Sequence, residues 1–175
     1  MTPLIRGPRL ALFRFSDRDA AGFMAMNADP RVVQHTGDQP FADEAEALAF
    51  IRAYDHYQRH GFGRWSLYTH EGEYAGFCGL RQGPGEVDLG YRLPHRFWGQ
   101  GLATEAAQLA LHVGFEQLRL ATIVGRARCA NPASVRVLEK LGMVAEGTFH
   151  ELGHHWYQYR LNRNDWPGVP FDVAY

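Results

Sequence analysis

Cysteine is scarce in this chain. Cys78 and Cys129 are the only two among 175 residues. They are far apart and form no CxxC pair, which argues against a disulfide framework and for a reducing compartment. Lysine is scarcer still: Lys140 stands alone among 18 basic residues, a skew from which no function follows. Charge of either sign is not in excess. With 18 basic and 19 acidic residues the formal charge is -1, which disfavours a uniformly basic nucleic-acid surface. No run approaches the eighteen apolar residues of a membrane span. The opening segment, MTPLIRGPRLALFRF, has no apolar h-region, so a signal peptide is not expected and the cytoplasm is. Low-complexity tracts and internal repeats are also missing.

What remains is an ordinary globular composition, 46% hydrophobic and 21% charged, in a length suited to one domain. We therefore expect a single domain over residues 1–175, with an irregular tail from about 165. Leu10–Phe15 reads as an opening strand. Ser16 and Asp17 offer an N-cap to a helix that Asn27–Asp29–Pro30 ends. Asp43 with Glu46 forms a capping box. Ala47, Phe50, Ile51, Tyr54 and Tyr57 then recur at helical spacing as far as Gly61. Gly63–Tyr68, Glu73–Leu80 and Glu86–Leu93 read as successive strands, with turns at His70–Gly72 and Gln82–Gly85. A helix from about Leu102 to Gln117, a strand at Ala121–Cys129 and a helix at Pro132–Leu141 follow. Val144–Leu161 reads as a hairpin bending at Gly153–His154–His155. This order predicts a mixed sheet with flanking helices, an α+β fold, rather than a doubly wound one.

The sharpest local feature lies between Glu86 and Ala107. A strand feeds a loop holding Gly99 and Gly101, and the loop opens a helix. Small residues let the backbone wrap tightly and aim several N–H groups at one spot. The helix N-terminus adds its own free donors and partial positive charge. Such a place suits a phosphate or pyrophosphate, and Arg92 and Arg96 lie close by in sequence. It is not a P-loop, because no Gly-Lys-Ser/Thr follows. It is not a dinucleotide fingerprint, because the third glycine is missing.

Two segments together carry a resemblance. Gly90-Tyr91 precedes Trp98-Gly-Gln-Gly-Leu-Ala-Thr-Glu-Ala106, and Asn131-Pro-Ala-Ser134 precedes Leu138-Glu-Lys-Leu-Gly142. These resemble the Gcn5-related N-acetyltransferase superfamily, most closely its branch that acetylates the N-terminal amines of ribosomal proteins. The resemblance implies the acyl-CoA N-acyltransferase fold: about seven strands, mostly antiparallel, with two parallel strands splayed apart. It implies acetyl-CoA as co-substrate, an amine acceptor, no metal, no nucleic acid or membrane, and a monomer or homodimer. It also implies that the amides of Gly99, Gln100, Gly101, Leu102, Ala103 and Thr104 hold the pyrophosphate. Trp98 stands where most members carry a polar residue. Tyr91, Arg92 and Leu93 would align the pantetheine arm as an added strand would, and Asn131 would contact that arm near the opening.

Acetyl transfer from a thioester requires a deprotonated amine, a polarised carbonyl and a stabilised leaving thiolate. Glu86 and Asp88 share a strand face and are candidates for accepting the amine proton, directly or through water. The alternative is two solvent-facing strand residues. Gly125–Arg128, where some members carry a glutamate, has no carboxylate. For the leaving group, many members use a tyrosine where this chain has Leu138. Ser134 is the candidate donor in its place, against the plainer reading of a first-turn helix serine. His154 and His155 form a pair with no third ligand at motif spacing. The expected activity is direct acetylation of a primary amine, a protein N-terminus or else a small molecule such as a polyamine or antibiotic. The missing tyrosine keeps open a third reading, a non-catalytic acyl-CoA-binding module.

Overall fold

The computed structural model describes residues 1–175. One sheet runs through the whole chain. Its strands are β1 (Ile5–Arg6), β2 (Leu10–Phe13), β3 (Arg64–Thr69), β4 (Tyr74–Gln82), β5 (Val87–Arg92), β6 (Thr122–Arg128), β7 (Val144–Glu151) and β8 (His154–Asn162). They lie in the order β1-β2-β3-β4-β5-β6-β8-β7. Every pairing is antiparallel except β5 with β6. The count is eight rather than seven. The added strand, β1, is two residues long and too short to show a period in sequence.

Helices cover both faces. α5 (Leu102–His112) runs on through a π-turn at Val113–Gln117 and crosses from β5 to β6. Ala106, Ala107 and Ala110 are fully buried, and their small side chains let the helix lie close on the sheet. Together with α6 (Pro132–Lys140) it encloses the main core, in which Leu12, Leu67, Leu80, Leu109, Phe115, Ile123 and Leu138 are fully buried. The opposite face carries α1 (Ala20–Ala28), α2 (Pro30–Val33) and α3 (Glu44–Ala53), around a smaller core of Phe23, Met26, Val32, Ala47 and Ile51. Asp19 ties this layer to the sheet. Its buried carboxylate accepts from the Ser66 hydroxyl at 2.6 Å, the Tyr68 hydroxyl at 2.5 Å and the Ser16 amide at 2.8 Å.

Two boundaries differ from the sequence reading, each for a tertiary reason. The helix capped by Asp43 stops at Ala53, and a separate turn, α4, spans His56–His60. Tyr54 leaves the helix in an extended conformation, and its hydroxyl accepts the Arg64 amide at 2.8 Å. The Tyr57 hydroxyl binds the Arg64 carbonyl and accepts the Phe15 amide. The start of β3 thus draws both tyrosines off the helix path. The last hairpin turns at Leu152–Gly153, both with positive φ as a two-residue turn requires. His154 and His155 therefore belong to β8 rather than to the bend. The tail is also pinned: Ala174 exchanges backbone hydrogen bonds with Arg6 at 2.7 and 3.1 Å.

Candidate active site

β5 and β6 touch only where Asp88 and Leu89 face Val124 and Gly125. Beyond that point β5 continues as Gly90–Arg92 with its β4 partner alone, and β6 as Arg126–Arg128 with its β8 partner alone. The sheet opens into a wedge with Tyr91 on one wall and Ala127 on the other. Backbone groups on the open edge of β5 are thereby left for an extended ligand arm.

The glycine loop stands at the end of β5. Gly99 and Gly101 have φ of 72° and 75°, values that L side chains rarely adopt. Gly101 is the N-cap of α5 and has no side chain to cap it. None of the amides from Gly99 to Thr104 finds an acceptor in the protein. Six consecutive donors thus stand unpaired at the positive end of an eleven-residue helix. This donor set fits a pyrophosphate, so the residues present suit the phosphate end of coenzyme A.

The loop is braced from the far end of the chain. Glu105 is buried, and its carboxylate accepts the Arg9 amide at 2.8 Å, the Leu10 amide at 3.1 Å and Arg9 Nε at 2.7 Å. Arg9 also donates to the Gln100 carbonyl at 2.7 Å. The Trp98 indole donates to the Leu93 carbonyl at 2.9 Å, which fixes the loop to the end of β5. Sequence reasoning missed the role of Arg9 altogether. Its one signal was the acidic Glu105 inside the first turn, which has a free helix end to bind and uses a distant strand instead.

Closeness in sequence brings neither Arg92 nor Arg96 to the glycine loop by its side chain. The Arg92 side chain crosses to the other face, where its guanidinium donates to Asn27 Oδ1 at 3.0 Å and pairs with Asp38. Arg96 donates to the Tyr74 carbonyl at 3.2 Å. The side-chain cation beside the loop is Arg9, 3.5 Å from where a Cβ on Gly101 would sit.

At the wedge, Tyr91 reaches across to α6. Its hydroxyl donates to the Ser134 carbonyl at 2.9 Å and lies 3.1 Å from Ser134 Oγ. Burial pushes the Tyr91 phenol well above its ordinary pKa, so it serves as a hydrogen-bond donor rather than a proton source. Asn131 Oδ1 caps α6 by accepting the Ser134 amide at 3.3 Å, which leaves its NH₂ group for other partners. Leu138 is fully buried against Gly125. Cys78 is fully buried, with its thiol pushed up to about 12, so it is no nucleophile.

Glu86 and Asp88 share the face opposite α5, but each is matched with arginines. Glu86 meets Arg160 at 2.6 Å and Arg126 at 3.0 Å. Asp88 meets Arg81 at 3.2 Å and Arg64 at 3.4 Å. Neither carboxylate is a free solvent-facing residue. Arg64 lies flat over Gly79 and Gly90, which face one another across β4 and β5. A Cβ on Gly90 would sit 2.5 Å from the Arg64 guanidinium, so a side chain here would push that guanidinium out of its place. A cavity of about 320 Å³ opens beside this trough, with Thr36, Phe50, Tyr54, His56, Arg64, Phe77, Arg81, Gly90, Tyr91 and Arg92 around it. It lies on the face of the sheet that carries α1–α3.

A mixed sheet with one splayed parallel pair, and an amide loop closing that wedge, defines an acyl-CoA N-acyltransferase fold. Residues 9–144 match the acetyltransferase (GNAT) domain family, and the chain belongs to that family. It is 30% identical over 148 residues to the uncharacterised N-acetyltransferase p20 of Bacillus licheniformis, covering 82% of this chain and 83% of that one. It is 27% identical to the FsC-acetyl coenzyme A-N(2)-transacetylase of Aspergillus fumigatus, over 94% and 78% of the two chains. A GNAT acetyltransferase from Bacillus anthracis superposes with a TM-score of 0.80 at 23% identity, over 91% of this chain and 98% of that one. The Vibrio cholerae spermidine N-acetyltransferase, solved with CoA and spermine, superposes with a TM-score of 0.76 at 18% identity, over 89% and 96%. The protein is an acetyltransferase, of a family whose enzymes use acetyl-CoA.

Proposed function

We propose that the enzyme moves the acetyl group directly to the primary amine of a small molecule, within a ternary complex and without an acetyl-enzyme. The observation that carries this reading is the row of six unpaired amides, Gly99–Thr104, at the mouth of the wedge. Acetyl-CoA supplies the activated acyl group as a thioester. The Gly99–Thr104 amides hold its phosphates, the open edge of β5 aligns its arm, and the Asn131 NH₂ group contacts that arm.

Of the two carboxylates, Asp88 is the better placed to take the amine proton through water. Its partners Arg64 and Arg81 line the cavity, and its contacts with them are long, which leaves lone pairs on both oxygens. Glu86 holds shorter contacts and lies farther from the opening. The amine nitrogen forms the new C–N bond as the C–S bond breaks. Ser134 Oγ, freed from Tyr91 by a rotation of its hydroxyl, donates a hydrogen bond to the departing thiolate. A thiol of ordinary pKa, about 8.5, needs no stronger acid.

A small acceptor is favoured over a protein N-terminus because the cavity is bounded by side chains from β3, β4, β5 and the α2–α4 layer. A polyamine is disfavoured, because three arginines line that cavity and no carboxylate does. The test is an acceptor screen that detects free thiol from acetyl-CoA, run beside calorimetric titration with coenzyme A. Acetylation of small amines with no activity on peptides is the expected result. Absence of coenzyme A binding overturns the reading.

A further inference from the structure

Arg128, the last residue of β6, is a buried cation without a counter-ion. It is 9% exposed, and it forms no ion pair although its neighbours do. Six arginines sit on the face of the sheet that carries α1–α3: Arg64, Arg81, Arg92, Arg126, Arg128 and Arg160. Four carboxylates neutralise that face. Asp88 serves Arg64 and Arg81, Asp38 serves Arg92, Glu86 serves Arg126 and Arg160, and Glu146 also serves Arg160. None reaches Arg128.

Its hydrogen bonds are equally incomplete. One terminal nitrogen donates to the Gln34 carbonyl at 3.2 Å, and the guanidinium lies 5.5 Å from the centre of the Trp156 ring. Nε is buried with no partner. The Nε edge of the guanidinium fork is therefore unused, beside Gly37, whose missing side chain leaves room 3.7 Å away. A buried charge in this state is costly unless an anion joins it. An apolar residue would serve the fold better, so the cation points to a ligand.

Building on the function proposed above, we propose that the acceptor carries a carboxylate on the same molecule as its amine, and that Arg128 binds that carboxylate side-on. Two parallel N–H donors match the two oxygens of a carboxylate. Thr36 lines the cavity and belongs to the segment, Gln34–Gly37, that covers Arg128. An outward shift of this segment, at the loss of the Gln34 contact, joins the cavity to the guanidinium. The aromatic rings of Phe50, Tyr54 and Phe77 suit an apolar side chain, so the class is an amino acid with an apolar or aromatic side chain.

The test does not depend on turnover. The intact protein, saturated with coenzyme A, is titrated with N-acetyl-L-phenylalanine and N-acetyl-L-leucine, each against its primary amide. At least one acid should bind about tenfold or more tightly than its amide. Arg128→Gln should reduce that preference to within about twofold, Arg128→Lys should keep part of it, and coenzyme A affinity should stay unchanged in both. The thermal midpoint of Arg128→Gln should hold or rise, because an uncompensated charge has been removed. Equal binding of acid and amide, no binding of either acid, or a preference that survives Arg128→Gln overturns the proposal. A large fall in thermal midpoint does the same, by making Arg128 a structural residue. Failure of coenzyme A itself to bind sinks the underlying function instead.

Discussion

Replacing Gly101 with valine separates the cost of the loop's shape from its use. Gly101 has φ of 75°, and a Cβ built there would meet only Arg9, at an ordinary 3.5 Å. Space is therefore not the penalty in the ligand-free protein; backbone conformation is. Holding a β-branched residue in the left-handed region costs about 2 kcal/mol. At roughly 2–4 °C per kcal/mol for a chain of this size, the thermal midpoint should fall by about 4–8 °C. Gly72 supplies a matched control. It has φ of 89° in the β3–β4 turn and nothing within 4 Å of its Cβ position. Gly72→Val should therefore lower the midpoint by a similar amount. The two variants should part company in calorimetric titration with coenzyme A. Displacing one or two amides from a phosphate removes charge-assisted hydrogen bonds of about 1.5–3 kcal/mol each. Gly101→Val should thus bind at least about tenfold more weakly, whereas Gly72→Val should bind as the parent does. Parental affinity in Gly101→Val, with the midpoint lowered as expected, would refute the placement of the phosphates.

The site and the fold supply further tests. Asp88→Asn should lower turnover at neutral pH and recover part of it at high pH, where more acceptor is already neutral, while Glu86→Gln changes the pH–rate profile much less; identical profiles in both variants would exclude Asp88 as the proton acceptor. Ser134→Ala should lower turnover roughly tenfold to a hundredfold with acetyl-CoA affinity nearly intact; weaker binding at unchanged turnover would make Ser134 a capping or positioning residue. Glu105→Gln should destabilise the protein by about 1–3 kcal/mol, since Arg9 loses its ion pair and its Nε meets an NH₂ donor where it had a carboxylate oxygen; denaturant titration reads this, and an unchanged midpoint would remove the brace from the account. Burial holds His35 and His56 below the ordinary histidine pKa of 6.5, with Arg128 adding to the effect on His35 and His60 to that on His56. The unfolded chain therefore binds more protons than the folded one below about pH 6.5, and stability should fall as pH drops from 7.5 to 5.5; urea midpoints that hold or rise over that interval would contradict this.

The glycine loop was legible in the sequence because everything it needs lies within six residues. Two glycines able to adopt positive φ and one helix start define where the amides point, whatever packs behind them. The capping of α3 by Asp43 was legible for the same reason. The alternation along β5 correctly put Glu86 and Asp88 opposite Val87 and Leu89. It could not say what faces them, since Arg64, Arg126 and Arg160 are 24, 40 and 74 residues away. The brace between Arg9 and Glu105 spans 96 residues and left no local trace. The break between α3 and α4 was equally hidden, because helical periodicity continues through Tyr54 and Tyr57 while hydrogen bonds to Arg64 and Phe15 take both rings elsewhere. Local backbone geometry is set by neighbouring residues and is written in their order. Which charge finds a partner, and that Arg128 finds none, depends on strands brought together from across the chain, so the tertiary structure alone decided it.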